Sequence, residues 1–197
     1  QDSGTDDDKA RLLPSLADGS SIATVAATGK IGTWSPECVA VKAHPGDGRF
    51  VLTGSAHYVL HGQIADVIVV VAATDDGIGV FEVTPDTPGF ERTAATPFDP
   101  TTRLSTFTFD RSPAHRLGAA GWEAVDRALS LTTIALAGEQ VGGTRRIFDT
   151  TIDYLKTRIQ FGRPIGSFQA LKHMAADLLL EVESATSAAH HAAAQFD

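Results

Sequence analysis

Arg158-Ile159-Gln160-Phe161-Gly162-Arg163-Pro164-Ile165-Gly166-Ser167-Phe168-Gln169, followed by His173 and Asp177, decides how the second half of the chain folds. Pro164 lacks an N–H and crowds the turn before it, so it interrupts any helix arriving from upstream. On that side Val125, Leu129, Thr133, Leu136 and Val141 fall on one face of a helix. Ile147, Phe148, Ile152 and Leu155 continue the stripe after a break expected at Gly142-Gly143. On the other side Ser167 is placed to cap a further helix, in which Phe168, Leu171, Met174, Leu178 and Val182 recur at intervals of three or four. Two long helices therefore meet at a fixed turn that presents a cation, an amide and an aromatic ring together.

Before Trp122 the pattern is different. Short apolar runs punctuated by turn residues predict antiparallel strands near 22–26, 38–42, 50–53, 57–60, 67–72, 79–83 and 104–109. Asp47-Gly48 and Asp76-Gly77 suit hairpin turns, because glycine carries a positive φ without a Cβ clash. The expected fold class is α+β, an antiparallel β-barrel or sandwich followed by the long helices of an incomplete bundle.

With 197 residues, 43% of them hydrophobic, the chain can bury a sizeable core. A net charge of −8, with 16 scattered Lys and Arg, argues against a nucleic-acid surface, which needs clustered cations. The single Cys38 excludes an intramolecular disulfide and a thiol cluster, and fits a cytoplasmic setting. The longest apolar run, 65–73, contains Asp66 and falls far short of the roughly 20 residues that a membrane-spanning helix needs. The acidic opening residues do not resemble a secretory leader, so none is expected in this stretch.

The Arg158 segment resembles the RxQFGxPI…Q…H…AD signature of the acyl-CoA dehydrogenase family, and the order of a β domain before long helices is similar to that family's. The resemblance covers nearly the whole chain. It implies that 1–20 end an N-terminal helical region, 21–120 form the middle β domain and 121–197 begin the C-terminal helical domain of a longer protein. It also implies FAD as cofactor, an acyl-CoA substrate, an electron-transfer flavoprotein as partner, and homo- or hetero-oligomers built through the C-terminal helices.

Site residues carry over by position. The run 22–26 resembles the family's first flavin strand, with Val25 and Ala26 offering backbone contacts, and Gly32-Thr33 resemble the end of its glycine loop. Where the family has Glu-Pro, this chain has Ala27-Thr28. Gly54 to Gly62 resembles the G-x-K-x-[WF]-[IV]-[ST] strand. There Tyr58 matches the aromatic that covers the flavin, Val59 follows it, and Leu60 stands where a hydroxyl residue usually bonds the flavin N5. Ala56 replaces the family's Lys.

In the signature itself Arg158 would meet the FAD pyrophosphate, Gln160 and Phe161 the adenosine portion, and Ile165, Phe168 and Gln169 the same groove. Arg103, in a segment resembling D-x-TR…FD, either contacts CoA phosphate or organises its loop through Asp99. The family also needs a carboxylate base opposite the flavin. One of its two known positions falls on Thr132 and the other lies beyond Asp197, so no base is assigned, and Glu123 and Glu139 read as solvated or capping residues.

The remaining motifs read as structural. His57-x-x-x-His61 lacks the Glu of a zinc helix, Gly29-Lys30-Ile31-Gly32 lacks the phosphate-loop spacing, and no nucleophile elbow is present. Two readings remain. One is an acyl-CoA dehydrogenase of fatty-acid or sterol side-chain catabolism that forms a 2-enoyl-CoA. The other is a non-catalytic subunit that completes a neighbour's FAD groove.

Overall fold

The structure is a computed structural model that describes residues 3–46, 49–119 and 121–196. It falls into two compact units, 1–126 and 127–197. In chain order the elements are α1 (Asp6–Ala17), β1 (Ala23–Ala26), β2 (Lys42–Gly46), β3 (Arg49–Leu60), β4 (Val67–Thr74), β5 (Gly77–Val83), β6 (Phe90–Ala94), β7 (Leu104–Arg116), α2 (Trp122–Thr157), β8 (Ile159–Gln160), β9 (Arg163–Pro164) and α3 (Gln169–Gln195).

In the first unit, β4, β2, β3, β7 and β5 pair in a closed ring, with β1 added to β4 and β6 to β7. Closure leaves the ring without free edges. It surrounds a core of Leu52, Val59, Ile68, Val70, Phe81 and Phe107. The β-branched run of β4 suits this place, since branched side chains pack well on a pleated, buried surface. The sheet is mixed and not purely antiparallel: β1 runs parallel to β4, as does β2 at Lys42 and Ala73. A parallel pair cannot be closed by a hairpin. The chain accordingly passes through β2 and β3 between β1 and β4.

Three other expectations are corrected. The strand expected at 38–42 is replaced by a 3-10 turn, Pro36–Cys38, with β2 starting only at Lys42. The two strands expected at 50–53 and 57–60 are one strand, β3, bent at Gly54. A Cβ there would lie 2.6 Å from the Ala40 carbonyl oxygen, so glycine admits the passing loop. The sequence reading also missed β6, whose Phe90 packs on Phe107 and Phe109 at 5.0 and 5.3 Å between centroids while the three residues after it are polar. The Asp47-Gly48 turn lies outside the described residues. The other expected turn forms at Asp75-Asp76, with Gly77 opening β5 at φ +124°.

Helix α1 is fastened to this sheet by charge. Thr5 caps it, and the buried Asp8 accepts from the Thr5 N–H and hydroxyl at 3.0 and 2.8 Å. The other carboxylate oxygen of Asp8 lies 2.8 Å from His115 Nε2 on β7 and accepts from Arg11 at 3.3 Å. Arg11 in turn grips both oxygens of buried Glu82 on β5. Burial pushes the Asp8 carboxyl up. The hydrogen bonds from His115, Thr5 and Arg11 outweigh that and hold it well below the usual carboxylate range.

Most of α2 belongs to the second unit, and the helix runs unbroken for 36 residues through the expected break at Gly142-Gly143. These two exposed glycines cost it about 1 kcal/mol each relative to alanine, a penalty that does not end the helix. An apolar groove of about 240 Å³ lies between α2 and α3, lined by Ile147, Phe148, Leu155, Leu171, Met174 and Leu178 among others. Arg145 of α2 also pairs with Glu183 of α3. Ser167 does not cap α3: it ends a 3-10 turn, Ile165–Ser167, and Phe168 takes the cap position without a side-chain hydrogen bond. Among the described residues no helix is long and apolar enough to cross a membrane.

Candidate functional site

The residues singled out in the first half of the sequence gather along β1, the loop after it and the last residues of β3. Two threonines four residues apart staple these segments together. Thr24 donates its hydroxyl to the Leu60 carbonyl at 2.6 Å, and Thr28 donates to the His57 carbonyl at 2.7 Å. The His57 N–H returns a bond to the Thr28 carbonyl at 2.8 Å. Asp66, from the Ala65-Asp66 pair, accepts from the Ile22 N–H at 2.9 Å and so fixes the start of β1.

Tyr58 sits in a bulge of β3. Its φ is +58°, and the register against β7 shifts between Ala56 and Val59. In a regular strand Ala56 and Val59 would face opposite sides of the sheet. Here both are buried, so His57 and Tyr58 stand together on the outer side. The Tyr58 hydroxyl donates to the Lys30 carbonyl at 3.1 Å. Gly32, at φ +79°, lies so close that a Cβ there would stand 3.2 Å from the Tyr58 ring. Tyr58 is 53% exposed, Leu60 50%, Trp34 50% and Val25 47%, while Ala26 and Val59 are in the core. Thr33 is exposed on the same loop. Val25, Tyr58 and Leu60 thus form an exposed strip on segments that Thr24 and Thr28 hold together, with Gly32 against Tyr58 and Thr33 and Trp34 exposed further along the loop.

Arg103 is exposed and does not pair with Asp99. The Asp99 carboxylate is taken by Thr101 and Thr102, and the Arg103 carbonyl accepts from the His61 N–H at 2.8 Å.

In the second unit the signature folds as a tight hairpin. Ile159 pairs with Pro164 and Gln160 with Arg163, around a two-residue turn with Phe161 at φ +52° and Gly162 at +75°. Paired positive φ values are those of the hairpin turn whose twist matches the flanking strands. Phe161, at the tip, is 91% exposed. Behind it Phe168 meets the Phe161 ring edge-on at 6.0 Å and carries the Arg163 guanidinium 4.2 Å from its centroid. Arg158 is exposed, held by its N–H to Tyr154 and its carbonyl to the Ile165 N–H, both at 2.9 Å. Ile165 is half-buried, and Gln169 lies 3.2 Å from His173. Arg158, Gln160 and Phe161 therefore project from one hairpin. Gln169 follows at the start of α3.

Thr132 sends its hydroxyl back to the Ala128 carbonyl at 2.8 Å and carries no carboxylate. The sequence reading missed Thr24, Thr28, Ser55 and Thr106, and gave His57 only a failed zinc motif. Ser55 and Thr106 flank the His57 ring, at 3.2 Å from Nε2 and 3.4 Å from Nδ1. A hydroxyl two positions from a histidine on one strand face was the available signal for Ser55.

Residues 119–197 match the family model described as acyl-CoA dehydrogenase, C-terminal domain. An acyl-CoA dehydrogenase of Bacillus subtilis is 28% identical over 96% of the chain and 53% of its own length. The acyl-CoA dehydrogenase IpdE2 of Mycobacterium tuberculosis is 38% identical over 65% of the chain and 36% of its own length. A glutaryl-CoA dehydrogenase of Mycobacterium smegmatis, solved in complex with FADH2, superposes with a TM-score of 0.88 at 25% identity, covering 96% of this chain and 50% of that one. The chain thus spans about half the length, or less, of the relatives it matches. Sequence and fold together lead to one conclusion: the chain belongs to the acyl-CoA dehydrogenase family.

Proposed function

We propose that the chain is part of an FAD-dependent acyl-CoA dehydrogenase that oxidises an acyl-CoA thioester to the 2-enoyl-CoA, in fatty-acid or sterol side-chain catabolism. The observation that carries this reading is the stapled strip of Val25, Tyr58 and Leu60. A flat, largely apolar ring system is what such a strip would take, and Gly32 keeps the loop thin enough to leave room for it. On this reading 1–20, 21–120 and 121–197 are the end of an N-terminal helical region, the middle β domain and the start of the C-terminal helical domain.

When bound, FAD would accept the hydride that leaves the acyl β-carbon. The chain's own residues bind and orient. Tyr58 and Leu60 cover the flavin face, and Val25, Ala26, Gly32, Thr33 and Val59 give backbone contacts. Arg158 would pair with a pyrophosphate, since a guanidinium matches phosphate oxygens in a fork. Gln160, Phe161, Ile165, Phe168 and Gln169 would line the adenosine groove of a neighbouring subunit, which makes the assembly an oligomer. Arg103, exposed and free of Asp99, is available to CoA phosphate. The proton acceptor would come from outside this stretch, electrons would pass to an electron-transfer flavoprotein, and the lone Cys38 favours the cytoplasm.

A second reading, the non-catalytic subunit, draws on two observations: Leu60 has no hydroxyl for flavin N5, and Thr132 is not a base. The test is the visible absorption of the purified protein with FAD and a panel of acyl-CoA thioesters. Flavin that binds and bleaches with one thioester supports the dehydrogenase. Flavin that binds and never bleaches supports the second reading, and failure to bind FAD in any assembly refutes both.

A further inference from the structure

The bulge at Tyr58 brings a titratable ring to the same outer face. The His57 and Tyr58 rings lie 6.2 Å apart between centroids, with planes inclined at 51°. The His57 backbone is fixed on both sides by Thr28, and its imidazole is spanned by the Ser55 and Thr106 hydroxyls at 3.2 and 3.4 Å. A hydroxyl both donates and accepts. The pair therefore satisfies the neutral ring in either tautomer and also the imidazolium, whose two N–H groups need two acceptors. Such a holder keeps the ring in place while its charge changes. A carboxylate partner would bias it toward the cation, and none of the described hydrogen bonds or ion pairs joins His57 to one.

The surrounding elements leave that charge largely uncompensated. From Val51 to Leu60, β3 carries no ionisable group besides His57 and the Tyr58 phenol, with His61 just beyond it. The loop after β1 carries Lys30 and, further along, Glu37, and β7 carries none from Leu104 to Phe109, before Asp110. On β6 stand Glu91 and Arg92, and the Arg92 guanidinium is bound to the Gly62 and Ala65 carbonyls.

We propose that His57 sets the charge beside the bound flavin, so that its protonation favours the reduced, more negative cofactor. This inference rests on the FAD reading above. Charge near the ring system is one of the means by which a protein tunes a flavin, and histidine is the side chain whose ordinary pKa, about 6.5, lies in the physiological range.

The test compares the full-length protein with its His57→Gln and His57→Phe variants, each loaded with FAD. The flavin reduction potential is measured by dye equilibration from about pH 5.5 to 8.5, a range that brackets the ordinary histidine pKa. The wild-type potential should fall more steeply with pH over this range than that of either variant. Ser55→Ala, which frees one side of the ring, should give an intermediate slope. The wild-type oxidised flavin should also show a visible-absorption shift over the same range, a readout that survives if a variant fails to fold. Equal slopes in wild type and variants, or no spectral titration in the wild type, overturn the inference and leave FAD binding standing. A chain that binds no FAD in any assembly overturns both.

Discussion

The Thr28 hydroxyl donates 2.7 Å to the His57 carbonyl, and the Thr28 carbonyl accepts from the His57 N–H at 2.8 Å, so both backbone polar groups of His57 are held by one residue. This double bond pair carries the loop of Gly29 to Trp34 onto the bulge. Thr28→Val removes the hydroxyl and leaves the backbone bond. It should cost about 1 kcal/mol, the usual net worth of one such hydrogen bond, read as a lowered urea midpoint with an unchanged slope. Thr24→Val, acting on Leu60, should cost a similar amount. A Thr28→Val protein with unaltered stability but weakened FAD binding would instead make the staple purely a matter of site geometry.

Gly32→Ala tests the same junction from the ligand side. At φ +79° an alanine is strained by roughly 1 kcal/mol or more, and its Cβ would stand 3.2 Å from the Tyr58 ring. The ring must tilt or the loop must lift. Thermal stability should fall by a few degrees, and FAD affinity by more than that loss alone explains. Gly19→Ala, at φ +77° with open space around it, controls for the backbone term, and equal FAD affinity in the two variants would rule out the steric contribution.

Tyr58, Leu60 and the Arg158–Gln169 run were singled out by resemblance to family motifs, which did not announce that the first two stand at a bulge or that the run folds as a hairpin. The helices were legible from their three-to-four periodicity, although the exposed glycines at 142 and 143 do not break α2 as expected. The parallel pairing of β1 with β4 was hidden, because parallel partners share no turn. Thr24 and Thr28 were hidden for a similar reason, since a hydroxyl bonding a carbonyl on another strand leaves no pattern around itself. The bulge carries no glycine to announce it: Tyr58 itself adopts the positive φ.

The Asp8 cluster makes the docking of α1 dependent on acid. Its carboxyl is depressed in the folded state, so the stability it contributes is fully present above the ordinary aspartate value of about 3.9. That stability is lost as pH falls through the lower folded value. Between about pH 5 and 7 the contribution should be flat, and below about pH 4 the wild type should lose stability faster than Asp8→Asn. At neutral pH Asp8→Ala should cost about 1–2 kcal/mol, because it removes the Thr5 capping bonds and the carboxylate shared by His115 and Arg11, whose own side chains remain open to solvent. Parallel pH–stability curves for wild type and Asp8→Asn would remove Asp8 from the acid response.

Phe161 places strain and exposure in one residue. A bulky side chain at φ +52° is unfavourable by about 1 kcal/mol, and this ring buries little in return, being 91% exposed with one edge contact to Phe168. Folding alone gives no reason for the choice, since asparagine tolerates this backbone far better. A ring that reaches into a neighbouring subunit's cofactor groove gives one. Phe161→Asn should therefore keep or raise the melting temperature while weakening FAD retention by about five- to tenfold, the worth of roughly 1 kcal/mol from one aromatic contact. Both quantities come from a thermal melt and a fluorescence titration on the same preparation. A lowered melting temperature with unchanged FAD affinity would assign the ring to the hairpin's own packing, against the edge of Phe168, and would separate the turn from the cofactor altogether.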